Sequence, residues 1–145
     1  MKVDCAFCTN VANKGRILFQ TEVAWAFLTN QPIFDGHTLI APQRCVQYFS
    51  ETTMLERVQM MGLMDKVQEL LKRKLGAQGF NVAWNDGPVA GQTVPHLHMH
   101  CVPRVPGDLA KGGHDPRLST YRVIPERPIQ SEDKLQEFAG FLRAK

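Results

Sequence analysis

The chain contains the stretch Thr93-Val94-Pro95-His96-Leu97-His98-Met99-His100-Cys101-Val102-Pro103, and three of its 5 histidines stand there at alternate positions. Side chains of a β-strand alternate between its two faces, so this spacing predicts a strand with His96, His98 and His100 on one face. The residues between the histidines are apolar and predict that the other face is buried. Each imidazole needs partners for both ring nitrogens, so three aligned rings indicate a chemical site.

Two chemistries use such a row of imidazoles. One is metal binding, because a His-x-His pair on a strand offers two ring nitrogens to one ion. The other is nucleophilic catalysis by one imidazole, whose neighbours orient it and stabilise the charge that develops. The histidines alone leave both chemistries open.

Length and composition favour one domain over residues 1–145. With 43% hydrophobic and 21% charged residues, the chain is long enough to bury a core without disulfide bonds. A net charge of +3 suits an anionic ligand but is too small for a nucleic-acid-binding surface. The sequence has neither an apolar signal segment at its start nor a run of about 18 apolar residues. We therefore expect a cytoplasmic protein without a nucleic-acid or membrane partner.

Alternation, turn residues and helical periodicity predict an α+β fold. Strands are predicted over 16–20, 23–29, 37–41 and 80–84, with the histidine stretch as the fifth. A long helix is predicted over 53–75 and a shorter one over 131–144, and short turns between strands imply an antiparallel sheet crossed by the long helix. Thr53 and Glu56 predict a capping box at the start of the long helix, and Gly76 predicts its end. Apolar residues at steps of three and four predict its buried face: Met54, Val58, Met61, Met64, Val67, Leu71 and Leu75.

The histidine pattern, with apolar residues between and after the histidines, resembles that of the histidine-triad (HIT) nucleotide-binding proteins. The resemblance extends upstream through Asn85-Asp86-Gly87-Pro88-Val89-Ala90-Gly91-Gln92-Thr93-Val94, which is most similar to the fragile-histidine-triad branch and related bacterial HIT proteins. It implies a five-stranded antiparallel sheet, with a long and a shorter C-terminal helix, whose edge pairs in a homodimer. It also implies a nucleotide hydrolase or nucleotidyltransferase that cleaves at the α-phosphate through a nucleotidyl-histidine intermediate.

The resemblance implies catalytic roles for four histidines. His98 is the expected nucleophile, because a neutral imidazole attacks phosphorus in line once its other nitrogen is protonated and fixed. In the family a backbone carbonyl of the first triad histidine, here His96, does the fixing. His100 is the expected side-chain donor to phosphate or leaving-group oxygens. His37 matches a fourth family histidine, which adjoins the triad, so we expect it to support the hydrogen bonds of the triad.

The resemblance also implies a set of substrate-binding residues. Asn85 stands where relatives carry an amide that binds phosphates, Gln92 is a second amide, and the glycine-rich loop at Thr93 offers backbone N–H groups. Relatives hold the ribose with an acidic or amide residue at the position of Thr29, so either Thr29 or the neighbouring Asn30 is expected there. Candidates for the base pocket, with core packing an equal alternative, are Phe7, Phe27, Leu28 and Ile33. Basic residues that could select polyphosphate length, but are mostly expected to be solvated, are Lys111, His114, Arg117, Arg122 and Arg127.

The resemblance also implies a metal site that includes three of the cysteines. Cys5 and Cys8 form a C-x-x-C pair, which by itself is only half of a zinc knuckle. Some bacterial HIT proteins bind zinc with such a pair, a histidine after the Gly-His-x-Leu strand and the first triad histidine. Here Cys45 replaces that third ligand and His96 is the fourth. Cysteine ligates zinc equally well, and four protein ligands leave no open position, so we expect a structural Zn²⁺. The alternative is that the cysteines are reduced and merely packed.

The resemblance to the fragile-histidine-triad branch implies a dimeric hydrolase of dinucleoside polyphosphates. The same chemistry would serve a nucleoside phosphoramidate or adenylyl-sulfate hydrolase. A nucleotide-binding regulatory module with slow turnover is a second alternative. A metal-buffering protein is a third, and it would require ions at the face formed by the three histidines.

Overall fold

The computed structural model describes residues 5–10, 15–111 and 127–145. One antiparallel sheet has the strand order β1-β2-β3-β5-β4, with β1 at Ile17–Gln20, β2 at Ala24–Leu28, β3 at Thr38–Pro42, β4 at Gly79–Ala83 and β5 at Met99–Arg104. The helices in these residues are α1 (Ala6–Asn10), α2 (Met54–Leu75) and α3 (Glu132–Arg143). Short 3₁₀ turns lie at Phe49–Glu51, Pro88–Ala90 and Asp108–Lys111. The predicted α+β fold is confirmed, whereas α1 was not predicted.

Strands β1 to β3 form the centre of the fold. Thr21 Oγ1 accepts hydrogen bonds from the backbone N–H groups of Val23 (3.2 Å) and Ala24 (3.0 Å), which fixes the short turn between the first two predicted strands. All residues of β2 and β3 are buried, because the sheet is covered on both faces. Alternate residues of β2 reach two separate cores. Ala24, Ala26 and Leu28 pack on the α2 side, whereas Trp25 and Phe27 pack with the N-terminal segment.

The start and end of α2 are as predicted. Glu56 N–H donates to Thr53 Oγ1 at 3.1 Å, and Thr53 N–H donates to Glu56 Oε1 at 2.8 Å, which completes the capping box. Gly76 ends the helix with φ of 69°, a left-handed conformation that glycine adopts without steric cost.

The predicted buried face of α2 is wrong in its first half. Met54, Val58 and Met61 are 68%, 58% and 53% exposed, whereas the residues buried with Met64, Val67 and Leu71 are Glu56, Met60, Leu63 and Leu70. Three consecutive steps of three residues lead from Val58 to Val67. Each such step falls about 60° short of a full helical turn, so Val58 and Val67 lie on opposite faces.

The histidine strand is shorter than predicted. Strand β5 begins at Met99, so His96 and His98 precede it, because the pairing with β3 starts only at the Ile40–Met99 pair. Before that point, His96 N–H bonds to Val94 O (2.8 Å) and Leu97 N–H to Val46 O (2.7 Å). The alternation nevertheless persists, since Leu97, Met99 and Cys101 are buried in the α2-side core.

Within the described parts of the chain, no helix combines the length and hydropathy that crossing a bilayer requires.

Candidate active site and metal site

His98 is held by the backbone of its own segment. Its Nδ1–H donates to the carbonyl oxygen of His96 at 2.8 Å, so the lone pair lies on Nε2. Burial lowers the pKa of His98 to about 4, an effect that the hydrogen bond to His96 opposes and the charge of the His96 ring adds to. The ring is therefore neutral at pH 7. A neutral imidazole with one fixed N–H and one available lone pair is suited to nucleophilic attack.

A relay of hydrogen bonds fixes the protons of two further histidines. The backbone N–H of Ile33 donates to His37 Nδ1 at 3.1 Å, and His37 Nε2 lies 2.9 Å from His100 Nδ1. An N–H can only donate, so His37 Nδ1 is unprotonated and its proton is on Nε2. His37 then donates to His100 Nδ1, which places the proton of His100 on Nε2. One backbone amide therefore makes His100 a donor through Nε2.

The relay contains neutral rings. Burial, together with the positive charges of Arg127 and His98, lowers the pKa of His37 to about 3. Burial likewise holds the pKa of His100 well below its ordinary value, with added repulsion from His37, His98 and Arg127. His98 and His100 are neighbours, with ring centroids 5.0 Å apart. The site thus presents one lone pair and one N–H side by side, both on uncharged rings.

These rings line a pocket of about 210 Å³. Three of the residues predicted to bind substrate, Thr29, Asn30 and Thr93, also line it. Phe7 and Phe27 form an apolar part of the wall, and the Phe7 ring centroid lies 4.8 Å from that of His98 and 5.2 Å from that of Phe27. The two other candidates for the base pocket are placed elsewhere. Leu28 packs in the core beneath α2, and Ile33 packs with Val102.

Asn85 and Gln92 lie in the loop before the histidines and hold its shape. Asn85 Nδ2 donates to Gly91 O at 3.3 Å. Gln92 Oε1 accepts from Gly87 N–H at 2.8 Å, and its Nε2 donates to Gln47 O at 3.0 Å. Neither side chain is among the described residues that line the pocket, so contact with a substrate stays a prediction for both.

The pocket also contains two arginines, Arg127, which the sequence analysis named as a candidate for selecting polyphosphate length, and Arg16, which it did not name. Arg16 is 3% exposed and Arg127 is 8% exposed, and both line the pocket. Arg127 is therefore not one of the solvated residues of the basic group named in the sequence analysis. Arg16 directly precedes β1, and its carbonyl accepts a hydrogen bond from Leu28 N–H at 3.1 Å. Its position at the edge of the hairpin was the one sequence feature that could have indicated a place near the pocket. The other basic candidates, Lys111 (its side chain), His114, Arg117 and Arg122, lie outside the described residues.

A second cluster of side chains lies behind His98. The Sγ atoms of Cys5, Cys8 and Cys45 and a ring nitrogen of His96 all lie within 4.8 Å of one another. His96 Nε2 donates to the carbonyl of Pro42 at 2.7 Å, so its Nδ1 lone pair faces Cys5 Sγ at 3.3 Å. The second ring nitrogen of a metal-binding histidine is commonly held in this way.

The donor set fits a tetrahedral metal site. Zinc with bonds of about 2.0–2.3 Å holds its ligand atoms roughly 3.5–4 Å apart, which is within reach of this cluster. Without a metal, burial and the neighbouring thiols of Cys5 and Cys8 raise the pKa of Cys45 to about 12. A bound metal would displace that proton, because thiolates are the ligating form. The four residues could therefore hold a metal ion.

Comparison with known proteins agrees with this geometry. The family model of the HIT domain matches residues 10–107, and the chain belongs to that family. It is 34% identical over 97 residues to a bis(5'-nucleosyl)-tetraphosphatase (asymmetrical) of Schizosaccharomyces pombe, covering 67% of this chain and 53% of the relative. It is 31% identical over 119 residues to a bifunctional bis(5'-adenosyl)-triphosphatase/adenylylsulfatase of Arabidopsis thaliana, covering 82% of this chain and 63% of the relative. The chain thus spans less than two thirds of the length of these relatives.

A solved structure with the same fold contains a metal. The crystal structure of a zinc-bound histidine triad family protein from Mycobacterium smegmatis superimposes with a TM-score of 0.72 at 29% sequence identity. The match covers 97% of this chain and 91% of that protein.

Proposed function

We propose that this protein hydrolyses dinucleoside polyphosphates at the α-phosphate through a nucleotidyl intermediate on His98. The observation that carries the proposal is the hydrogen bond from His98 Nδ1–H to the His96 carbonyl, since it leaves the Nε2 lone pair of a neutral ring in the pocket. The substrate class is supported by the two relatives, which are a bis(5'-nucleosyl)-tetraphosphatase and a bis(5'-adenosyl)-triphosphatase.

The reaction has two displacements at phosphorus. In the first, His98 Nε2 forms a bond to the α-phosphorus while the bond to the leaving phosphate oxygen breaks in line with it. No other residue forms a bond to phosphorus, so the main contribution of the surrounding residues is to stabilise charge on the phosphate oxygens. His100 Nε2–H supplies a donor for those oxygens or for the leaving group. In the second, a water oxygen attacks phosphorus, the N–P bond breaks, and the water proton passes to solvent.

The remaining pocket residues bind the nucleoside. Phe7 and Phe27 form an apolar wall against which a base can pack, and Thr29 or Asn30 can hydrogen-bond the ribose hydroxyls. Thr93 lies beside the histidines and can reach the phosphates. Asn85 and Gln92 keep the loop closed against Gly91 and Gly87, so any phosphate contact they make would follow a change of rotamer.

The metal of the second cluster would be zinc, held by Cys5, Cys8, Cys45 and His96. Its chemistry there is structural, because four protein ligands leave no position for a substrate or water. The cross-link would tie α1 to the segment of His96. Since the His96 carbonyl orients His98, the same residue serves the metal site through its ring and the active site through its backbone.

The assembly implied by this reading is a homodimer. The exposed apolar residues of α2 and its surroundings include Met54, Leu55, Val58 and Met61, and Val82 and Trp84 are also 43% and 39% exposed. Trp84 lies beside Phe49 with ring centroids 5.5 Å apart, and Arg57 of α2 stacks on Phe49, which connects the two groups. Strand β4 is at the end of the sheet order, where a second copy can pair. A single domain over 1–145 and a cytoplasmic location stay predictions.

A second candidate function is hydrolysis of adenylyl sulfate. The bifunctional relative carries an adenylylsulfatase activity in its name. Attack by His98 would be the same, with sulfate instead of a nucleotide as the leaving group. A nucleotide-binding regulatory module with slow turnover, or a nucleoside phosphoramidate hydrolase, would use the same site.

Turnover of a substrate panel tests the proposal. The panel comprises diadenosine triphosphate, diadenosine tetraphosphate, adenosine phosphoramidate and adenylyl sulfate, compared by kcat/KM. We expect one of the dinucleoside polyphosphates to have the highest value, and rapid quenching should trap an adenylyl group on the peptide that contains His98. A highest value for adenylyl sulfate would select the second candidate. Binding of the nucleotides without turnover of any of the four would contradict the hydrolase assignment.

A further inference from the structure

Two buried guanidinium groups in the pocket have nitrogen atoms without a hydrogen-bond partner among the described residues. Arg16 and Arg127 are 3% and 8% exposed. Arg16 Nε, together with Nε and Nη1 of Arg127, has no hydrogen-bond partner in the described part of the chain. Neither arginine forms an ion pair with a described carboxylate. No acidic residue is present among the described residues that line the pocket.

This arrangement is costly in the ligand-free protein. A buried cation without a paired anion loses its hydration, and proteins rarely keep such a group without compensation. Burial lowers the pKa of both arginines, and for Arg16 only the charge of Glu132 acts in the opposite direction. Arginine nevertheless stays charged at pH 7. Two guanidinium groups with free N–H donors in one pocket are therefore suited to an anion that arrives with the ligand.

Arg127 lies near the histidine relay, and Arg16 lies near the apolar part of the pocket. The charge of Arg127 acts on both His37 and His100, which places it near the relay. The Arg127 carbonyl also accepts a hydrogen bond from Gln31 Nε2 at 3.1 Å. The guanidinium carbon of Arg16 lies 5.7 Å from the centroid of the Phe27 ring. Phe27 belongs to the wall where a base would stack.

We propose that Arg16 and Arg127 form an anion subsite that binds a second phosphate group of the nucleotide, distinct from the phosphate that His98 attacks. The proposal rests on the proposed function for the identity of the attacked phosphate. A phosphate dianion matches two planar guanidinium groups, each of which can donate two hydrogen bonds to it. Because Arg16 contacts Phe27, the favoured source is a phosphate on the sugar of the bound nucleoside. The other source is a phosphate further along the 5' chain.

Calorimetric binding of three adenosine nucleotides tests the subsite. Adenosine 5'-monophosphate is the reference, adenosine 3',5'-bisphosphate adds a phosphate on the sugar, and adenosine 5'-diphosphate extends the chain. We expect the bisphosphate to bind at least ~10-fold more tightly than the monophosphate, the gain typical of charge-assisted hydrogen bonds. Arg16→Gln and Arg127→Gln should each remove most of that gain. Arg73→Gln, which changes an exposed arginine of α2, should preserve it.

The outcomes separate the two sources and the two proposals. A gain for the diphosphate instead, lost in the same variants, would support the subsite and assign it to the 5' chain. Equal affinity for all three nucleotides, or a gain that persists in both variants, would overturn it. The assay needs no turnover. A protein that hydrolyses dinucleoside polyphosphates without an arginine-dependent gain refutes the subsite alone, whereas an inactive protein with such a gain refutes only the hydrolase.

Thermal unfolding controls for a structural role of the arginines. If the two arginines serve only to bind a ligand, Arg16→Gln and Arg127→Gln should leave the melting temperature of the ligand-free protein unchanged or raise it. The rise in melting temperature that the bisphosphate produces should shrink in the same variants. Arg16→Lys, which keeps the charge but loses the planar fork, should retain only part of the gain. A lower ligand-free melting temperature in both glutamine variants would show that the arginines support the fold, and it would overturn the proposal.

Discussion

At the scale of single residues, the chemistry of this site depends on where each ring proton lies. The His96 carbonyl and the Ile33 amide decide this for His98 and for the His37–His100 pair. Both are backbone groups, so the tautomers of these histidines do not depend on hydrogen bonds from other kinds of side chain. The positions of these histidines were predicted, whereas the direction of the relay required the structure.

Replacement of the nucleophile tests its assignment. His98→Ala should lower kcat by at least ~10³-fold, because covalent catalysis is lost. Nucleotide affinity should change only a few-fold, since the lone pair contributes mainly in the transition state. Steady-state kinetics and calorimetry measure the two quantities. His114→Ala, at a position outside the described residues, is the matched histidine control and should keep its activity. Retention of a tenth of the wild-type rate in His98→Ala would refute the assignment.

Burial of the neutral His37 ring predicts a loss of stability in acid. Its pKa in the folded state is about 3, against about 6.5 in the unfolded chain. Between these values the unfolded state binds the proton and the folded state does not, so the free energy of unfolding falls as the pH falls. Each such group contributes a slope of about 1.4 kcal/mol per pH unit.

Urea denaturation between about pH 6 and pH 4 measures this slope. His37→Phe, which keeps a buried ring without a titrating nitrogen, should reduce the slope relative to wild type. The slope should not vanish, because His98 and His100 also have lowered pKa values. An unchanged slope in the variant would show that His37 is already protonated in the folded protein.

At the scale of secondary-structure elements, the ends of helix α2 were predicted correctly from the sequence, whereas its buried face was not. Its capping box and its glycine end were predicted, because both depend on residues three or four apart. The buried face was wrong over its first half, because the helix carries a second row of apolar residues: Met54, Val58 and Met61. Only the packing of α2 against the sheet decides which row is covered.

Removal of the helix cap should destabilise the fold without affecting the site. Thr53→Ala removes the hydroxyl that accepts from Glu56 N–H, which should lower the free energy of unfolding by about 1 kcal/mol. Chemical denaturation measures this change. Ser131→Ala removes the corresponding, more exposed cap of α3 and serves as the comparison. A Thr53→Ala protein as stable as wild type would show that the cap contributes nothing here.

At the scale of the whole molecule, two features join distant parts of the chain. The cluster of cysteines and His96 connects residues separated by 91 positions. The exposed apolar row of α2 is a surface that a second copy can cover. Each feature gives a prediction about the intact protein.

The first of these predictions concerns zinc. Protein purified without chelators should contain about one zinc per chain, and a chelator should lower the melting temperature, because metal binding adds to folding stability. Cys45→Ser should weaken zinc retention far more than Cys101→Ser, since Cys101 is buried in the opposite core. Elemental analysis checks both variants. Equal zinc content in the two variants, or no zinc in the wild type, would contradict the site.

The second concerns the oligomer. At micromolar concentration, sedimentation equilibrium should give twice the chain mass of 16.4 kDa. Val58→Asp places a charge in the exposed apolar row and should shift the mass toward that of one chain. Ile129→Asp changes an apolar residue that is 70% exposed elsewhere and should leave the dimer intact. A wild-type protein of single-chain mass throughout this range would contradict the homodimer.

The sequence by itself determined the features that depend on near neighbours. The hairpin turn at Thr21, the cap at Thr53 and the alternation through Leu97, Met99 and Cys101 all follow from spacings of two to four residues. The resemblance to the HIT family supplied the long-range pairing of the histidines, which the spacing could not.

Tertiary structure alone decided which surfaces are covered. It buried Arg16 and Arg127 in the pocket, left Val58 exposed, and started β5 at Met99 rather than at His96. Burial and strand pairing depend on which elements meet, and residues far apart in the chain decide that. A local pattern fixes the conformation of an element and its possible faces, but the packing partner selects the face that loses its contact with water.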